Sequence, residues 1–216
     1  MSWDWSAVVD FMPRFLDGLL VTLQVLVLGS LIAFGLGLVW AAALRAPSRF
    51  VRWPVGVLTE FVRNTPLLVQ LFFLFFVLPE WGVQFSALTT GTVAIGLHYS
   101  TYTAQVYRAG IDAVPAGQWE AATALSLPVH RTWFAVILPQ ALRRVAPALG
   151  NYVIAMLKDT PLLAAISVLE LLQQSRLESA ATFQYTEPLT VIGIAFILIA
   201  YPASLLVRAL ERRLVH

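Results

Sequence analysis

The sequence has no cysteine, one lysine and few charged residues of either sign. The absence of cysteine excludes disulfide bonds and thiolate metal sites. Charged residues make up 12% of the chain and hydrophobic residues 59%. Soluble domains carry roughly 25% charged residues, so this composition is typical of a membrane protein. The net charge of +2 is not gathered into a basic stripe along any polar segment, which argues against a nucleic-acid partner.

Five apolar stretches are long enough to cross a bilayer, which takes about 20 helical residues. Lipid offers no partner for free backbone groups, so each stretch is predicted to be a helix. The predicted fold class is therefore all-α, a polytopic membrane protein with five transmembrane helices in one domain over residues 1–216. The predicted spans are 18–44, 57–79, 87–109, 145–169 and 189–207.

Arginine lies mainly on one side of the predicted spans. The loops after the first and third spans and the C-terminal tail are the arginine-rich segments: Arg45, Arg49, Arg52, Arg131, Arg143, Arg144, Arg208, Arg212 and Arg213. Basic loops stay in the cytoplasm. With five spans we expect a periplasmic N-terminus and a cytoplasmic C-terminus in the inner membrane of a bacterium. The acidic start of the chain argues against a cleaved signal peptide.

The longest predicted cytoplasmic loop, 112–144, contains a short alanine-rich helix after Pro115. Alanine is the strongest helix former, and Trp119, Ala122 and Leu125 give this helix one apolar edge. Two interpretations fit such a helix on the inner face of a membrane protein. It lies in the lipid interface, or it lies in the groove of a soluble partner.

Motifs in this loop and beyond it resemble a known family. Glu120-Ala121-Ala122, followed by Ile137-Leu138-Pro139, resembles the EAA loop of binding-protein-dependent ABC importer permeases. Further motifs, in the same order along nearly the whole chain, are similar to the polar amino-acid permease family. They are EFVRNTPLLVQ at 60–70, YRAGI at 107–111, GQWEAA at 117–122, LPQA at 138–141, KDTPL at 158–162 and ERR at 211–213. The resemblance implies a MetI-like ABC permease fold.

The resemblance also implies partner subunits. Two permease subunits, identical or related, would enclose a path through the membrane lipid. Two copies of an ABC ATPase would bind the cytoplasmic loops, and an extracytoplasmic solute-binding protein would deliver the solute. The chain has no GxxxxGK[ST] phosphate loop, so ATP hydrolysis is expected in a separate subunit. No catalytic residue, metal or cofactor is expected in this chain.

The EAA resemblance assigns ATPase coupling to five positions of the cytoplasmic loop. They are Gly117, Glu120, Ala121, Ala122 and Ser126. Glu120, Ala121 and Ala122 are expected to contact the ATPase. Ser126 stands where the family usually has glycine, and serine can still end a helix by hydrogen bonding to its own backbone.

Three shorter segments of the sequence indicate which solute is transported. The segments GLHYSTYT at 96–103, GQWE at 117–120 and KDTPL at 158–162 are most similar to the ectoine and hydroxyectoine uptake branch. A compatible solute is therefore the expected cargo, and the alternative is a polar amino acid such as glutamine, glutamate or a basic amino acid. An inner-membrane enzyme is an alternative of another class, but neither HExxH nor GxSxG occurs.

Polar residues inside the predicted spans are candidates for the translocation path, because a charge near the bilayer centre costs about 2.5–3.5 kcal/mol on insertion scales. The candidates are Arg63, Asn64, His98, Tyr99, Tyr102, Gln105, Lys158 and Asp159. Gln105 stands where the family often has glutamate. Each candidate also has a structural interpretation as a residue that joins helices by hydrogen bonds or, for Arg63, as an i, i+3 partner of Glu60.

The charges of the fourth predicted span lead to two structural expectations. Lys158 and Asp159 are neighbours about 100° apart on a helix, so they need different partners. Asp159 is expected to pair across the bundle with Arg63. Pro161 removes a backbone donor and disturbs the preceding turn, so the helix is expected to kink or unwind there.

Overall fold

The computed structural model describes residues 3–214, and every regular element within them is helical. Met1, Ser2, Val215 and His216, the ends of the predicted domain, lie outside the described residues. The α-helices are α1 (Trp5–Leu44), α2 (Arg49–Asn64), α3 (Leu67–Phe72), α4 (Ala87–Asp112), α5 (Ala116–Ala124), α6 (Val129–Arg131), α7 (Leu138–Asp159), α8 (Leu171–Thr182) and α9 (Thr186–Leu214). Phe73–Val77 and Thr132–Ile137 form π-helical turns, and Leu78–Trp81 and Thr160–Ile166 form 3₁₀ turns.

Side-chain caps start three of these helices, because the first amides of a helix lack intrahelical acceptors. Asp4 accepts a hydrogen bond from the amide of Ser6 at 2.8 Å in front of α1. Ser86 accepts from the amide of Thr89 at 3.2 Å in front of α4. The buried carboxylate of Glu170 accepts from two amides of the first turn of α8, at 2.9 and 2.7 Å.

The first helix is longer than the apolar stretch that predicts it. α1 has 40 residues, which corresponds to about 60 Å, whereas the hydrocarbon core of a bilayer is about 30 Å thick. Its first three turns carry charges, and Arg14 there forms an ion pair of 2.8 Å with Glu178 of α8. Charged residues therefore mark where the apolar part of α1 begins, but they do not end the helix.

The second and fourth predicted spans are both broken at prolines. α2 ends before Pro66, and the chain turns by 104° between Arg49–Asn64 and Leu67–Trp81. α7 ends at Asp159, where the chain tightens into the 3₁₀ turn that contains Pro161. The pair formed by Val129–Ile166 and Leu171–Thr182 is bent by 47°. The predicted unwinding at Pro161 is confirmed, and its cause is the missing backbone donor of proline.

Two single helices among the described residues, α1 and α9, are long and apolar enough to cross a membrane, and counting each bent pair as one span raises the number to four. The third predicted span corresponds to α4, which has 26 residues but does not meet this test of apolarity. α4 carries a run of hydroxyl-bearing residues and a histidine, and most of them are buried. α1, α2, α3 and α7 pack against α4 and cover these polar groups.

The contact between α1 and α4 is close because small residues line it. A Cβ atom added to Gly37 of α1 would collide with the hydroxyl of Thr103 on α4. That hydroxyl donates a hydrogen bond of 2.7 Å to the carbonyl oxygen of Ala33 on α1. Trp40 of α1 donates from its indole nitrogen to the hydroxyl of Ser100 at 3.0 Å. The two helices are therefore joined by hydrogen bonds that need a close approach of their backbones.

Gly37→Ala is expected to lower the thermal stability of the purified protein. The added methyl group must push Thr103 away from α1, and overpacking of this kind typically costs about 1–3 kcal/mol. Gly35→Ala is the matched control on the same helix, since a Cβ atom there meets nothing within 4 Å. The melting temperature in detergent is the measurement. Equal melting temperatures for the two variants would contradict the close contact.

Candidate functional site

Four aromatic rings from two helices form a cluster inside the bundle. α4 supplies His98, Tyr99 and Tyr102, which lie on one face because they are spaced by one, three and four positions. α7 supplies Tyr152. The ring centroid of Tyr152 lies 6.0 Å from that of Tyr99 and 5.7 Å from that of Tyr102. The ring centroid of His98 lies 5.4 Å from that of Tyr99 and 5.3 Å from that of Tyr102. The cluster therefore joins the two helices through four rings, and those of His98 and Tyr99 are buried.

The carboxylate of Asp159 lies at one edge of this cluster. Tyr99 donates a hydrogen bond from its hydroxyl to Asp159 Oδ2 at 2.7 Å. Asp159 is the last residue of α7, directly before the 3₁₀ turn. A carboxylate can accept several hydrogen bonds, so Asp159 retains further acceptor capacity beside the aromatic faces.

The predicted ion pair between Arg63 and Asp159 is not formed in this structure. Within residues 3–214 the ion pairs are Arg14 with Glu178 and Arg45 with Asp112. The alternative pairing of Arg63 with Glu60 is absent from the same part of the chain. The hydroxyl of Tyr99 takes the position beside Asp159, and Arg63 joins the cluster through its backbone, since its carbonyl oxygen accepts from the hydroxyl of Tyr102 at 3.2 Å.

Gln70 connects the broken end of α2 to the histidine of the cluster. Its Nε2 donates to the carbonyl oxygens of Val62 at 2.7 Å and Thr65 at 2.9 Å, and it lies 3.0 Å from Nδ1 of His98. The two protons of this amide nitrogen go to the two carbonyl oxygens, and the donor in the contact with Nδ1 depends on the tautomer of His98. Gln70 thus satisfies carbonyl oxygens near the break at Pro66 and contacts His98.

The structure brings five of the eight predicted path residues together. His98, Tyr99, Tyr102, Asp159 and the backbone of Arg63 belong to the cluster. The side chains of Asn64 and Lys158 are exposed, whereas that of Asp159 is half-buried. Gln105 lies farther along α4, where its Oε1 accepts from Arg108 at 3.3 Å.

Sequence reasoning missed two members of this site. Tyr152 lies seven residues before Asp159, which is two helical turns, so reading back along the same face of α7 would have found it. Gln70 lies inside the motif at 60–70, four residues after Pro66. A polar side chain close to a helix-breaking proline was the signal in the sequence. The proline leaves backbone carbonyl oxygens without their helical partners, and these oxygens need hydrogen-bond donors.

Helix α5, which carries the positions predicted to couple to the ATPase, packs on a small apolar cluster of its own. Trp119 of α5 packs edge-on against Trp133, with ring centroids 5.2 Å apart, over the buried residues Ile111, Val114 and Ile137. Gly117, Glu120 and Ala121 are exposed on the other side of α5. Ala122 has only 3% of its surface exposed. Its methyl group faces the protein's own interior in this conformation, and the contact of Ala122 with the ATPase stays a prediction.

Ser126 ends α5 in the left-handed conformation that glycine usually supplies. Its φ angle is 50°. The amide of Leu127 donates to the carbonyl oxygen of Ala122 at 3.0 Å, and the amide of Ser126 donates to that of Thr123 at 2.9 Å. These two bonds form a Schellman motif, the common C-terminal end of helices. The predicted turn is thus present, with serine in a conformation that suits glycine better.

Two contacts tie together the helix ends next to α5, and a third attaches α5 itself to α7. Asp112, at the end of α4, pairs with Arg45 at the end of α1. Arg144 of α7 donates to the carbonyl oxygen of Ala113, between α4 and α5. Gln140 of α7 donates to Gln118 Oε1 of α5 at 3.1 Å. α5 is therefore joined to α7 by a side-chain hydrogen bond and to α4 by the short chain segment between them.

The sequence profile of the family "binding-protein-dependent transport system inner membrane component" matches residues 33–216. The chain belongs to this family. It is 46% identical over 203 residues to a probable amino-acid ABC transporter permease protein of Sinorhizobium fredii, covering 94% of this chain and 88% of the relative. It is 32% identical over 215 residues to the arginine transport system permease protein ArtQ of Bacillus subtilis, covering 99% of this chain and 98% of the relative.

A solved structure shows the same arrangement of helices. The crystal structure of an amino acid ABC transporter with histidines superposes with a TM-score of 0.91 at 34% identity, covering 99% of this chain and 100% of that one. The MetI-like ABC permease fold expected from the sequence is confirmed. The binding-protein-dependent permease described here is thus an integral inner-membrane subunit of an ABC importer, and its relatives are transport subunits.

Ser126→Gly is expected to strengthen the C-terminal end of α5 in this permease. A left-handed conformation costs a residue with a Cβ atom about 1–2 kcal/mol, and glycine removes this strain. Hydrogen–deuterium exchange of the α5 amides is the measurement, with slower exchange as the expected result. Ser48→Gly is the control, since Ser48 has a φ of −74° and makes no capping bond with its side chain. Faster exchange at α5 in Ser126→Gly would contradict the assignment.

Proposed function

We propose that this chain is the permease subunit of an importer for a polar amino acid. The observation that carries the proposal is the pairing of the Asp159 carboxylate with the aromatic cluster, in a chain whose relatives have amino-acid transport names. These relatives favour the polar amino acid over ectoine, which was the solute expected from finer similarities.

The cluster suits the ammonium group of an amino acid. Tyrosine faces attract cations by about 0.5–2 kcal/mol, depending on exposure, and the free acceptor capacity of Asp159 supplies a charged partner beside them. Arg63, whose carbonyl oxygen accepts from Tyr102, and Lys158, next to Asp159 in the chain, are the candidate partners for the carboxylate of the solute. A site that offers an anion, a cation and aromatic rings selects a zwitterion over a neutral solute.

The proposed assembly contains two permease subunits, two ATPase subunits and an extracytoplasmic solute-binding protein. The exposed face of α5, with Gly117, Glu120 and Ala121, contacts the ATPase. A Cβ atom added at Gly117 would have no neighbour within 4 Å in this chain. A partner subunit can therefore occupy the open space beside Gly117. Closure of the ATPases displaces α5 and, through its attachments, α4 and α7, which changes access to the cluster.

Asp159→Asn is expected to reduce amino-acid uptake roughly tenfold or more, because hydrogen bonds to charged groups contribute about 1.5–3 kcal/mol. Uptake of labelled arginine and glutamine by the reconstituted complex, with its ATPase and binding protein, is the measurement. Asp17→Asn is the control, since Asp17 is exposed on α1. Full uptake by Asp159→Asn would remove Asp159 from the site. Uptake of labelled ectoine that excess amino acids do not reduce would overturn the solute class.

The proposed orientation places the N-terminus in the periplasm and the C-terminus in the cytoplasm. A cysteine at Ser48 should react only with a reagent that reaches the cytoplasmic side. Cysteines at Ser86 and Ala181 should react only from outside; all three positions are exposed. Neighbouring Ser179 is fully buried and unsuitable for labelling. The chain has no cysteine, so the background is clean. Reversed labelling at two of these sites would invert the orientation.

A further inference from the structure

A polar cavity lies away from the aromatic cluster, between the end of α1, the first three turns of α2 and α4. It has a volume of about 350 Å³, and its lining includes Arg49, Arg52, Trp53, Glu60 and Arg108. Cavities of this size accommodate small ligands and headgroups. The translocation path described above uses none of these five residues.

The arginines of this cavity lack carboxylate partners. Neither Arg49, Arg52 nor Arg108 has a carboxylate oxygen within 4.0 Å in the part of the chain that the structure describes, although Glu60 lines the same cavity. Arg108 donates from Nη1 to the neutral amide of Gln105 at 3.3 Å. Its Nε is buried and has no hydrogen-bond partner. Buried guanidinium donors without acceptors are costly, so the cavity is suited to an anion.

The surroundings of the cavity are those of a membrane–water interface. Phe50 and Trp53, in the first turns of α2, expose 93% and 64% of their surface beside the arginines. A second hollow, of about 440 Å³, shares Arg49 and Trp53 with the cavity and adds Phe50 and Pro54. Aromatic side chains next to arginines on an amphipathic helix are typical of segments that lie at the level of lipid headgroups.

We propose that this cavity binds the phosphate of an anionic phospholipid from the cytoplasmic leaflet. Guanidinium groups bind phosphate through paired hydrogen bonds, and clusters of arginine beside membrane spans attract anionic lipids. A free phosphate ion would use the same three arginines but would leave the exposed aromatic side chains in water. The lipid bridges α2 to α4, whose end leads into α5, so the anionic lipid content of the membrane should affect ATPase coupling.

The test is native mass spectrometry of the intact importer complex, titrated with phosphatidylglycerol or phosphatidylcholine. One variant carries Arg49→Gln, Arg52→Gln and Arg108→Gln. The matched control carries Arg143→Gln, Arg212→Gln and Arg213→Gln, which removes the same charge from exposed positions outside the cavity. The expected result is binding of phosphatidylglycerol over phosphatidylcholine by tenfold or more, with most of this preference lost in the cavity variant and kept in the control.

Three outcomes would overturn the proposal. Equal loss of the preference for phosphatidylglycerol in both variants would show that lipid binding depends on the overall positive charge and not on the cavity. Unchanged binding in the cavity variant would show that the cavity is closed by another subunit or is not the lipid site. Displacement of phosphatidylglycerol by millimolar inorganic phosphate, with phosphate retained on the complex, would assign the arginines to a soluble anion. Melting temperatures of both variants show whether the complex is intact.

Discussion

A helix as polar as α4 can cross a bilayer only when other helices cover it, because uncompensated polar groups in hydrocarbon are costly. This constraint places α4 at the centre of the bundle, with α1, α2, α3 and α7 around it. The small residues of α1 permit an approach close enough for Thr103 to reach the carbonyl oxygen of Ala33. The polar groups that remain, on the other face of α4, then point at α7 and at the break after α2.

The two proline breaks add free carbonyl oxygens beside that face. Side-chain donors satisfy them: Gln70 near Pro66, and the hydroxyl of Thr160, which donates to the carbonyl oxygen of Leu157 at 2.8 Å, beside Pro161. Irregular backbone at membrane depth is tolerated where protein surrounds it. The aromatic cluster lies beside both breaks, since Gln70 contacts His98 near the first and Asp159, directly before the second, accepts from Tyr99.

The cytoplasmic loop joins the same two helices. α5 follows α4 after three residues, and α7 holds this region through the hydrogen bonds of Gln140 to Gln118 and of Arg144 to the carbonyl oxygen of Ala113. In the proposed coupling, a push on α5 acts on the two helices that carry the rings and Asp159. A soluble ATPase would then change the proposed site inside the membrane without contacting it.

The sequence alone was enough to predict the helical class, the unwinding at Pro161 and the turn at Ser126. Each of these features depends on residues that are close together in the chain. The resemblance of ordered motifs was sufficient for the family. Contacts between distant segments were decided only by the tertiary structure. Asp159 meets Tyr99 instead of Arg63, Ala122 faces inward, and Tyr152 and Gln70 complete the site. A charge in a sequence shows that it needs a partner, but packing determines which helix supplies that partner.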